Sequence, residues 1–218
     1  MTLLDFARGP AMFWAMTLMI IGIVWRLAGT VLLARRKDRS SPRGENRVAA
    51  GLRAVAMRSV PPHELEKSIT FQHITGYAWH LGWFATFLFF APHVPFLKSI
   101  LGFGWPGLPN QAIVILAAIT LAILLALLVR RMVHPVLKVI SDFDDYLSSL
   151  VVCAPLVTGI VTYAHLFPDR HETMIALHIL SVEALMVWLP LGKIFHCITA
   201  LPLRFQIGAT YARRGVKA

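Results

Sequence analysis

The chain has 218 residues, 57% of them hydrophobic, and a mean hydropathy of +0.66. These values are typical of an integral membrane protein and exclude a soluble domain. The net charge of +10 does not indicate nucleic-acid binding, because the basic residues flank apolar segments and form no basic face with interleaved aromatic side chains. We therefore expect membrane lipid, and no nucleic acid, around this chain.

The two cysteines, Cys153 and Cys197, both fall in apolar segments, where a small buried side chain is the ordinary role of cysteine. The sequence has no CxxCH motif, which excludes covalent c-type haem attachment, and no cysteine cluster for an iron–sulfur or zinc site. Any iron–sulfur cluster that works with this chain must therefore lie on another subunit.

The first apolar segment, residues 11–33, follows an N-terminus without the features of a cleaved signal peptide, so we expect a retained transmembrane helix. This segment contains Arg26, directly after Trp25. An arginine here can snorkel to the cytoplasmic edge of the membrane, or it can pair with a fixed anion such as a haem propionate. The sequence leaves both roles open.

Residues 35–67 carry nine Lys/Arg and four Asp/Glu and predict a cytoplasmic connection with a short surface helix around 46–58. The charges of this connection fix the topology; a docking surface for a partner protein is the alternative. Four more apolar segments follow. The five predicted spans are 11–33, 71–91, 112–129, 146–165 and 174–200. We therefore expect one all-α membrane domain over residues 1–218, built as a five-transmembrane-helix bundle.

Basic residues are distributed unevenly between the two sides of this bundle. The two connections and the C-terminal tail on one side hold 16 Lys/Arg, whereas the opposite side holds Arg8, Lys98 and Arg170. Because cytoplasmic loops carry the excess of Lys and Arg, the expected orientation places the N-terminus outside and the C-terminus in the cytoplasm.

Two histidines of the fifth predicted span, His178 and His196, are eighteen residues apart, with Pro190 between them. On one continuous helix this spacing is five whole turns and ~27 Å of rise, so both imidazoles point to the same side near opposite edges of the membrane. Ring nitrogens in lipid are costly unless they face partners inside the bundle. The spacing therefore suggests two stacked sites, which a pair of b-type haems fits best.

The second predicted span runs antiparallel to the fifth and supplies the opposite ligands. His80 lies at the depth of His196, and His93, with Pro92 bending the helix end, lies at the depth of His178. An imidazole on each face makes a six-coordinate iron without an open position. An alternative register, with His73 opposite His196 and His80 opposite His178, stays open.

The run His178…Pro190…Lys193…His196 resembles the last helix of the membrane cytochrome b (gamma) subunit of respiratory nitrate reductase. The basic cytoplasmic loop and tail, and Trp25-Arg26 near the end of helix one, are also similar. The resemblance implies two b haems between helices two and five, quinone chemistry near the outer haem, and a cytoplasmic iron–sulfur partner subunit. Related membrane subunits serve heterodisulfide-reductase-like and sulfite-reductase-linked complexes.

Helix two departs from the pattern of that family, which places its two histidines ten apart. Ten residues beyond His80 is Phe90. Either His93 takes over the missing ligand position, or the outer haem is absent and the chain holds one haem. The lysine that the family uses near quinone has no clean counterpart, and Lys98 does not inherit its role. These departures favour the sulfur- or heterodisulfide-linked relatives.

The resemblance therefore implies a quinone-reacting di-haem cytochrome b of a bacterial or archaeal cytoplasmic membrane. Such a chain is the membrane anchor of a respiratory redox complex, carrying electrons between menaquinone or ubiquinone and its partner, rather than a stand-alone enzyme. The expected quinone site lies beside the outer haem, and its candidate residues are Lys98, Trp105, Tyr163 and His165. The alternative is a haem-free transporter or proton pathway that uses the membrane histidines, with Glu183 as its main support.

Overall fold

A computed structural model describes residues 1–32, 41–44, 46–60 and 66–216, which form helices and no sheet. The helices are α1 (Leu3–Phe6), α2 (Met12–Leu32), α3 (Arg47–Met57), α4 (Glu66–Phe89), α5 (His93–Leu101), α6 (Asn110–Val133), α7 (Pro135–Ile140), α8 (Phe143–Tyr163), α9 (His171–Leu191) and α10 (His196–Arg213). The end of the predicted first span, parts of the predicted 35–67 connection and Lys217 lie outside the described residues.

In the part of the chain that the structure describes, four helical segments are long and apolar enough to cross a membrane, namely Leu3–Thr30, Asn110–Val133, Phe143–Tyr163 and Pro168–Leu191. Most of their large apolar side chains point outwards; Ile21 is 60% exposed and Ile115 is 61% exposed. Apolar surface on this scale needs lipid around it. The chain is therefore a membrane protein, and its spans confirm four of the five predicted segments in outline.

The first span begins earlier than predicted. A capping box between Thr2 and Asp5 starts α1, and one π-helical turn, Ala7–Ala11, joins α1 to α2. The fourth span ends two residues earlier than predicted, at Tyr163, because the chain turns at His165, whose φ is +49°.

The second predicted span corresponds to α4, which has 24 residues and is long enough to cross a bilayer. It does not meet the composition of the four apolar spans, since Gln72, His73 and His80 interrupt its hydrophobic side chains. Its closest packing is against α6, where Gly82 leaves room for the Thr120 hydroxyl. Trp83 extends this contact by donating its indole N–H to the carbonyl of Val152 on α8 at 3.3 Å.

The expectation of one continuous helix through residues 174–200 is wrong. The α9 helix ends at Leu191, Gly192 is extended (φ −96°, ψ −176°), a short 3₁₀ turn covers Lys193–Phe195, and α10 begins at His196. Two side chains stabilise this break. The Asp144 carboxylate accepts the backbone N–H of Lys193 at 2.8 Å, and Arg26 donates to the carbonyls of Pro190 and Gly192 at 2.9 and 3.2 Å. His178 and His196 therefore do not project from one helix.

The surface helix predicted around 46–58 is present as α3, which begins after the N-cap Asn46 and packs along α10. Two glycines allow this close approach. Gly51 lies under the ring of Phe205, and Gly208 faces Ala54 and the carbonyl of Ala50. The C-terminal segment is thus a helix paired with α3 rather than a simple tail.

Helices α8 and α9 form the centre of the bundle, with α2 against α9 and α6 against α8. Buried side chains of α6, α8 and α9 make the main core, with Trp79 and Trp83 of α4 packed against it. Among the described residues, no Cα atom of α4 or α5 lies within 8 Å of a Cα atom of α9 or α10. A gap between these backbones follows, and the candidate site lies in it.

Candidate functional site

His80 and His196 approach each other across the gap between α4 and the start of α10. Their ring centroids are 5.9 Å apart, and the two ring planes are nearly perpendicular at 82°. His80 is half-buried and stacks on Trp79, whereas His196 is exposed. The break at Gly192 brings His196 here at the first residue of α10, so the predicted pair is adjacent although the predicted helix is not continuous.

The Nδ1 atoms of this first pair are both committed to backbone carbonyls. His80 Nδ1 donates to the carbonyl of Gly76 at 2.6 Å, and His196 Nδ1 donates to that of Lys193 at 2.8 Å. A carbonyl only accepts, so the proton of each neutral ring lies on Nδ1 and the lone pair lies on Nε2. Metal-binding histidines in proteins are commonly fixed in this way.

His93 and His178 form the second pair, at the other end of the same gap. Their ring centroids are 6.0 Å apart and their planes are nearly parallel at 8°. His93 is the first residue of α5, because α4 ends at Phe89 and the chain turns at Ala91-Pro92. The predicted bend at Pro92 is therefore a separate helix start, which removes the constraint that α4 places on the direction of His93.

The second pair is also fixed through Nδ1. His93 Nδ1 donates to the carbonyl of Phe87 at 3.1 Å. His178 Nδ1 lies 3.1 Å from the hydroxyl oxygen of Thr158. Because the hydroxyl hydrogen of Thr158 is donated to the carbonyl of Ala154, its oxygen accepts the N–H of the imidazole. Gly159, the next residue of α8, faces the His178 ring so closely that an added Cβ would lie 3.1 Å from its Cε1 atom.

Both pairs fit a metal held between two imidazoles. Nitrogen–metal bonds of about 2 Å on each side place the ring centres about 6 Å apart. Among the described residues, no group of three or more His, Cys, Asp or Glu side chains is positioned to hold a bare metal ion. Two donors per site suit a metal that brings its other ligands with it, as haem iron does.

The backbone beside the first pair is not closely packed. Gly76 lies one turn before His80 on α4, and an added Cβ at Gly76 would meet no atom within 4 Å. The neighbouring backbones of α4 and α10 do not close on each other. Two pairs of imidazoles, with Nε2 free and a gap between the helices, are the arrangement that bis-histidine haem requires.

The alternative register is not the arrangement in the structure. His73 packs against Tyr77, one turn further along α4, with ring centroids 4.8 Å apart. His80 lies against His196 and His178 lies against His93, which leaves His73 outside both pairs.

Arg26, one of the candidate cofactor-binding residues, contacts the end of α9. Its guanidinium donates to the carbonyls at the end of α9 and lies 4.2 Å from the centre of the Phe195 ring. These contacts compensate a charge near the membrane edge without any cofactor. Arg26 therefore stabilises the break that positions His196, and its contact with a haem propionate stays a prediction.

The four quinone candidates lie at the end of the bundle that holds the His93–His178 pair, but they do not form one cluster. Tyr163 packs on Phe90, which packs on His93, at centroid distances of 5.8 and 5.0 Å. Trp105 donates to the carbonyl of Leu88 at 2.8 Å. His165 instead stacks on His171 at 4.3 Å, and Lys98 is exposed. Tyr163 is thus the candidate most closely connected to the pair.

Sequence reasoning missed an acidic cluster that supports His196. Lys193, which the sequence placed inside a span, lies beyond the end of α9, and its ammonium contacts the carboxylates of Asp142 and Asp145, each at 2.8 Å. Arg131 contacts Asp145 at 3.1 Å. The cluster fixes the residue whose carbonyl orients the His196 ring. The capping-box pattern at Asp142 was the available sequence signal.

The ion pair between Asp142 and Lys193 is charged over a defined range of pH. The hydrogen bond from Lys193 lowers the pKa of Asp142 below 3.8, and the same bond raises the pKa of Lys193 above 10.5. Ionised Asp142 stabilises the folded protein above the pKa that this carboxyl has in the unfolded chain, and the stabilisation is lost as the pH falls through its lower folded-state pKa. Protonated Lys193 stabilises the folded protein until the pH rises through its raised folded-state pKa. The ion pair is therefore intact from about pH 4 to 10.

We expect Lys193→Met to lower the melting temperature slightly and by the same amount at pH 5, 7 and 9, because the lowered pKa of Asp142 and the raised pKa of Lys193 keep this pair charged over that range. The difference should shrink in high salt, since the pair is exposed and screened. Thermal unfolding in detergent measures this, with exposed Lys138→Met as control. A difference that changes steeply between pH 5 and 9 would assign the effect to another group.

Comparison with known proteins gives no functional name. A similar protein from Nitratidesulfovibrio vulgaris (strain Hildenborough) is 26% identical over an alignment of 221 residues. The alignment covers 96% of this chain and 94% of that protein, whose description reads only "Protein". No family model matches the chain, and no solved structure matches it. The similarity extends from end to end, but it assigns neither a family nor an activity.

Proposed function

We propose that this chain is a di-haem cytochrome b that carries electrons between membrane quinone and a partner subunit of a respiratory redox complex. The observation that carries the proposal is the geometry of the two histidine pairs. Each pair has ring centres about 6 Å apart, as two ligands of one metal require. Each of the four rings has its Nδ1 occupied, which leaves Nε2 for the metal.

In this proposal His80 and His196 hold an inner haem, and His93 and His178 hold an outer one. Bound haem of this kind would supply reversible one-electron transfer, since two axial imidazoles leave the iron no open position. The chain's own residues orient the four imidazoles and set the basicity of their Nε2 atoms. The carbonyls of Gly76, Lys193 and Phe87 and the hydroxyl of Thr158 fix the rings and make their Nε2 atoms more basic.

We further propose that α4 crosses the membrane together with the four apolar spans, giving five helices. Its length supports this, as does its packing on α6 with His80 and Trp83 turned inwards. Polar side chains in a membrane helix face the bundle interior. The charge asymmetry then places the N-terminus outside and the C-terminus, with α3 and α10, in the cytoplasm of a bacterial or archaeal cell.

The proposed partners lie at opposite ends. Menaquinone or ubiquinone would react near the outer pair, where Phe90 links Tyr163 to His93. An iron–sulfur subunit would dock on the cytoplasmic side near the inner pair, because the two cysteines, Cys153 buried and Cys197 exposed, form no cluster of their own. The chain is thus proposed as one component of an oxidoreductase and not as a complete enzyme.

A spectrum of the purified protein after reduction with dithionite tests this function. The proposal requires the sharp alpha band of reduced b-type haem. If the purified chain lacks that band even after expression with added haem precursor, the haem-free transporter or proton pathway becomes the better reading. Glu183, deep in α9, is the residue that would then deserve mutation first.

Two exposed arginines of α3 provide a test for the partner. Arg47→Glu with Arg53→Glu should slow quinol-driven electron transfer to the partner subunit, because long-range attraction between opposite charges accelerates docking. Haem content should not change. Arg8→Glu with Arg170→Glu, at the opposite end, is the charge-matched control. Transfer that is equally fast in the α3 variant, at low and high salt, would reduce these charges to topology signals.

A further inference from the structure

A groove of about 480 Å³ lies between α2, α8 and α9, on a different side of α9 from the histidine pairs. Its walls are apolar side chains together with two indole rings, Trp14 and Trp188, and one acid, Glu183. This volume falls within the ~300–1,000 Å³ typical of small-molecule sites. The groove is separate from Tyr163 and Trp105, the candidates beside the outer pair.

Glu183 is the unusual member of this groove. The residue is 5% exposed, and its Oε1 atom is buried without a hydrogen-bond partner. Polar groups buried in a membrane protein ordinarily find partners, because an unsatisfied acceptor costs free energy. A carboxyl that faces an apolar groove in the middle of a span therefore indicates a ligand that brings a hydrogen-bond donor.

The surroundings restrict the chemistry of that ligand. It must be lipid-soluble, since the other groove walls are apolar, and it carries no negative charge, since the one ionisable side chain of the groove is an acid. The indole N–H of Trp188 is already donated to Ser148 at 3.0 Å, so that ring offers the ligand a flat apolar surface rather than a donor. Trp14 is 60% exposed and can pack against a second flat ring. A flat aromatic ring that carries a hydroxyl group meets all of these conditions.

We propose that this groove is a second hydroquinone site, apart from the one proposed near Tyr163. The hydroxyl of the head group donates to Glu183, its ring packs between the indoles, and its tail extends into lipid. The identity of the ligand rests on the proposed function; the need for a hydrogen-bond donor rests on the groove alone. Glu183 lies five residues after His178 on α9, a rise of about 7.5 Å. Five residues also turn the helix by about 140°, so the groove and the outer pair lie on different sides of α9.

Photolabelling of the full-length protein tests this site. The probe is a short-tailed menaquinol with a diazirine on the first tail segment, and labelled peptides are mapped by mass spectrometry. We expect label on the α2 and α9 residues that line the groove. Menaquinol should compete with the label, and its dimethyl ether, which has lost both hydroxyl donors, should compete about tenfold more weakly.

Substitutions at Glu183 separate the hydrogen bond from the shape of the groove. Glu183→Leu should reduce labelling about tenfold, and Glu183→Gln, which keeps an amide carbonyl as acceptor, should retain part of it. Glu172→Gln, at the exposed start of α9, is the matched control. If Glu183→Leu does not fold, the wild-type map and the ether competition still decide the question.

Two results would overturn the proposal. One is label confined to the Tyr163 and Trp105 end. The other is groove labelling that the dimethyl ether displaces as well as menaquinol does, which would mean a general site for lipid chains. The reduced spectrum separates this outcome from the proposed function: a haem band without groove labelling removes only the Glu183 site, and groove labelling without a haem band removes only the cytochrome.

Discussion

His196→Ala and His80→Ala should each remove the same haem and leave one haem per chain. Each substitution leaves the inner iron with a single axial imidazole, because the two rings lie 5.9 Å apart across the gap between α4 and α10. Pyridine haemochrome analysis gives the haem content, and the reduced spectrum and redox titration show which haem remains. The remaining haem should have the same band position and midpoint potential in both variants.

His73→Ala is the matched control for this experiment, because His73 lies on the same helix as His80 and packs on Tyr77 outside both pairs. It should retain both haems. If His73→Ala loses a haem, or if the His80 and His196 variants retain spectroscopically different haems, the inner pairing is wrong and the functional protein uses a different register from the structure.

The wild-type chain should contain two haems b, and His93→Ala should contain one. His93 begins α5 instead of lying on α4, so it reaches His178 although its position in the sequence differs from the ten-residue spacing of the similar nitrate reductase subunits. His178→Ala should lose this same outer haem. Haemochrome content per chain, with protein measured by amino-acid analysis, provides the number.

His165→Ala serves as the control for the outer site, because His165 stacks on His171 at the same end of the bundle but outside the pair. It should keep two haems. If the wild type contains one haem and His93→Ala retains it, the outer pair is a contact between two histidines without a cofactor. Phe90 would then mark the loss of the outer haem ligand.

The apolar helices were the predictable part of the fold. Long uncharged runs indicate α6 and α8 directly, and the observed ends differ from the predicted ones by two to four residues. The break at Gly192 was not predictable in the same way, because a proline and a glycine occur in many continuous membrane helices. Its cause lies in distant side chains, Arg26 and Asp144, whose contacts with the end of α9 are set by tertiary packing.

The histidine partners were predictable in part. Antiparallel helices place His80 at the level of His196 and His93 at the level of His178, and these rings are adjacent in the structure; their ligation of haem stays a prediction. The groups that orient the rings were not predictable. A threonine on another helix and backbone carbonyls at helix ends leave no pattern in the sequence, so Thr158 and the Lys193 carbonyl emerge only from the fold.

Low-temperature electron paramagnetic resonance of the oxidised protein tests the central claim, bis-histidine ligation at both pairs, most directly. Nearly parallel imidazole planes split the iron π orbitals, whereas perpendicular planes leave them close in energy. The ring angles of 8° and 82° therefore predict two different low-spin ferric signals, a rhombic one from His93–His178 and a highly anisotropic one from His80–His196. A protein that shows only high-spin iron, or no haem iron at all, would contradict the claim.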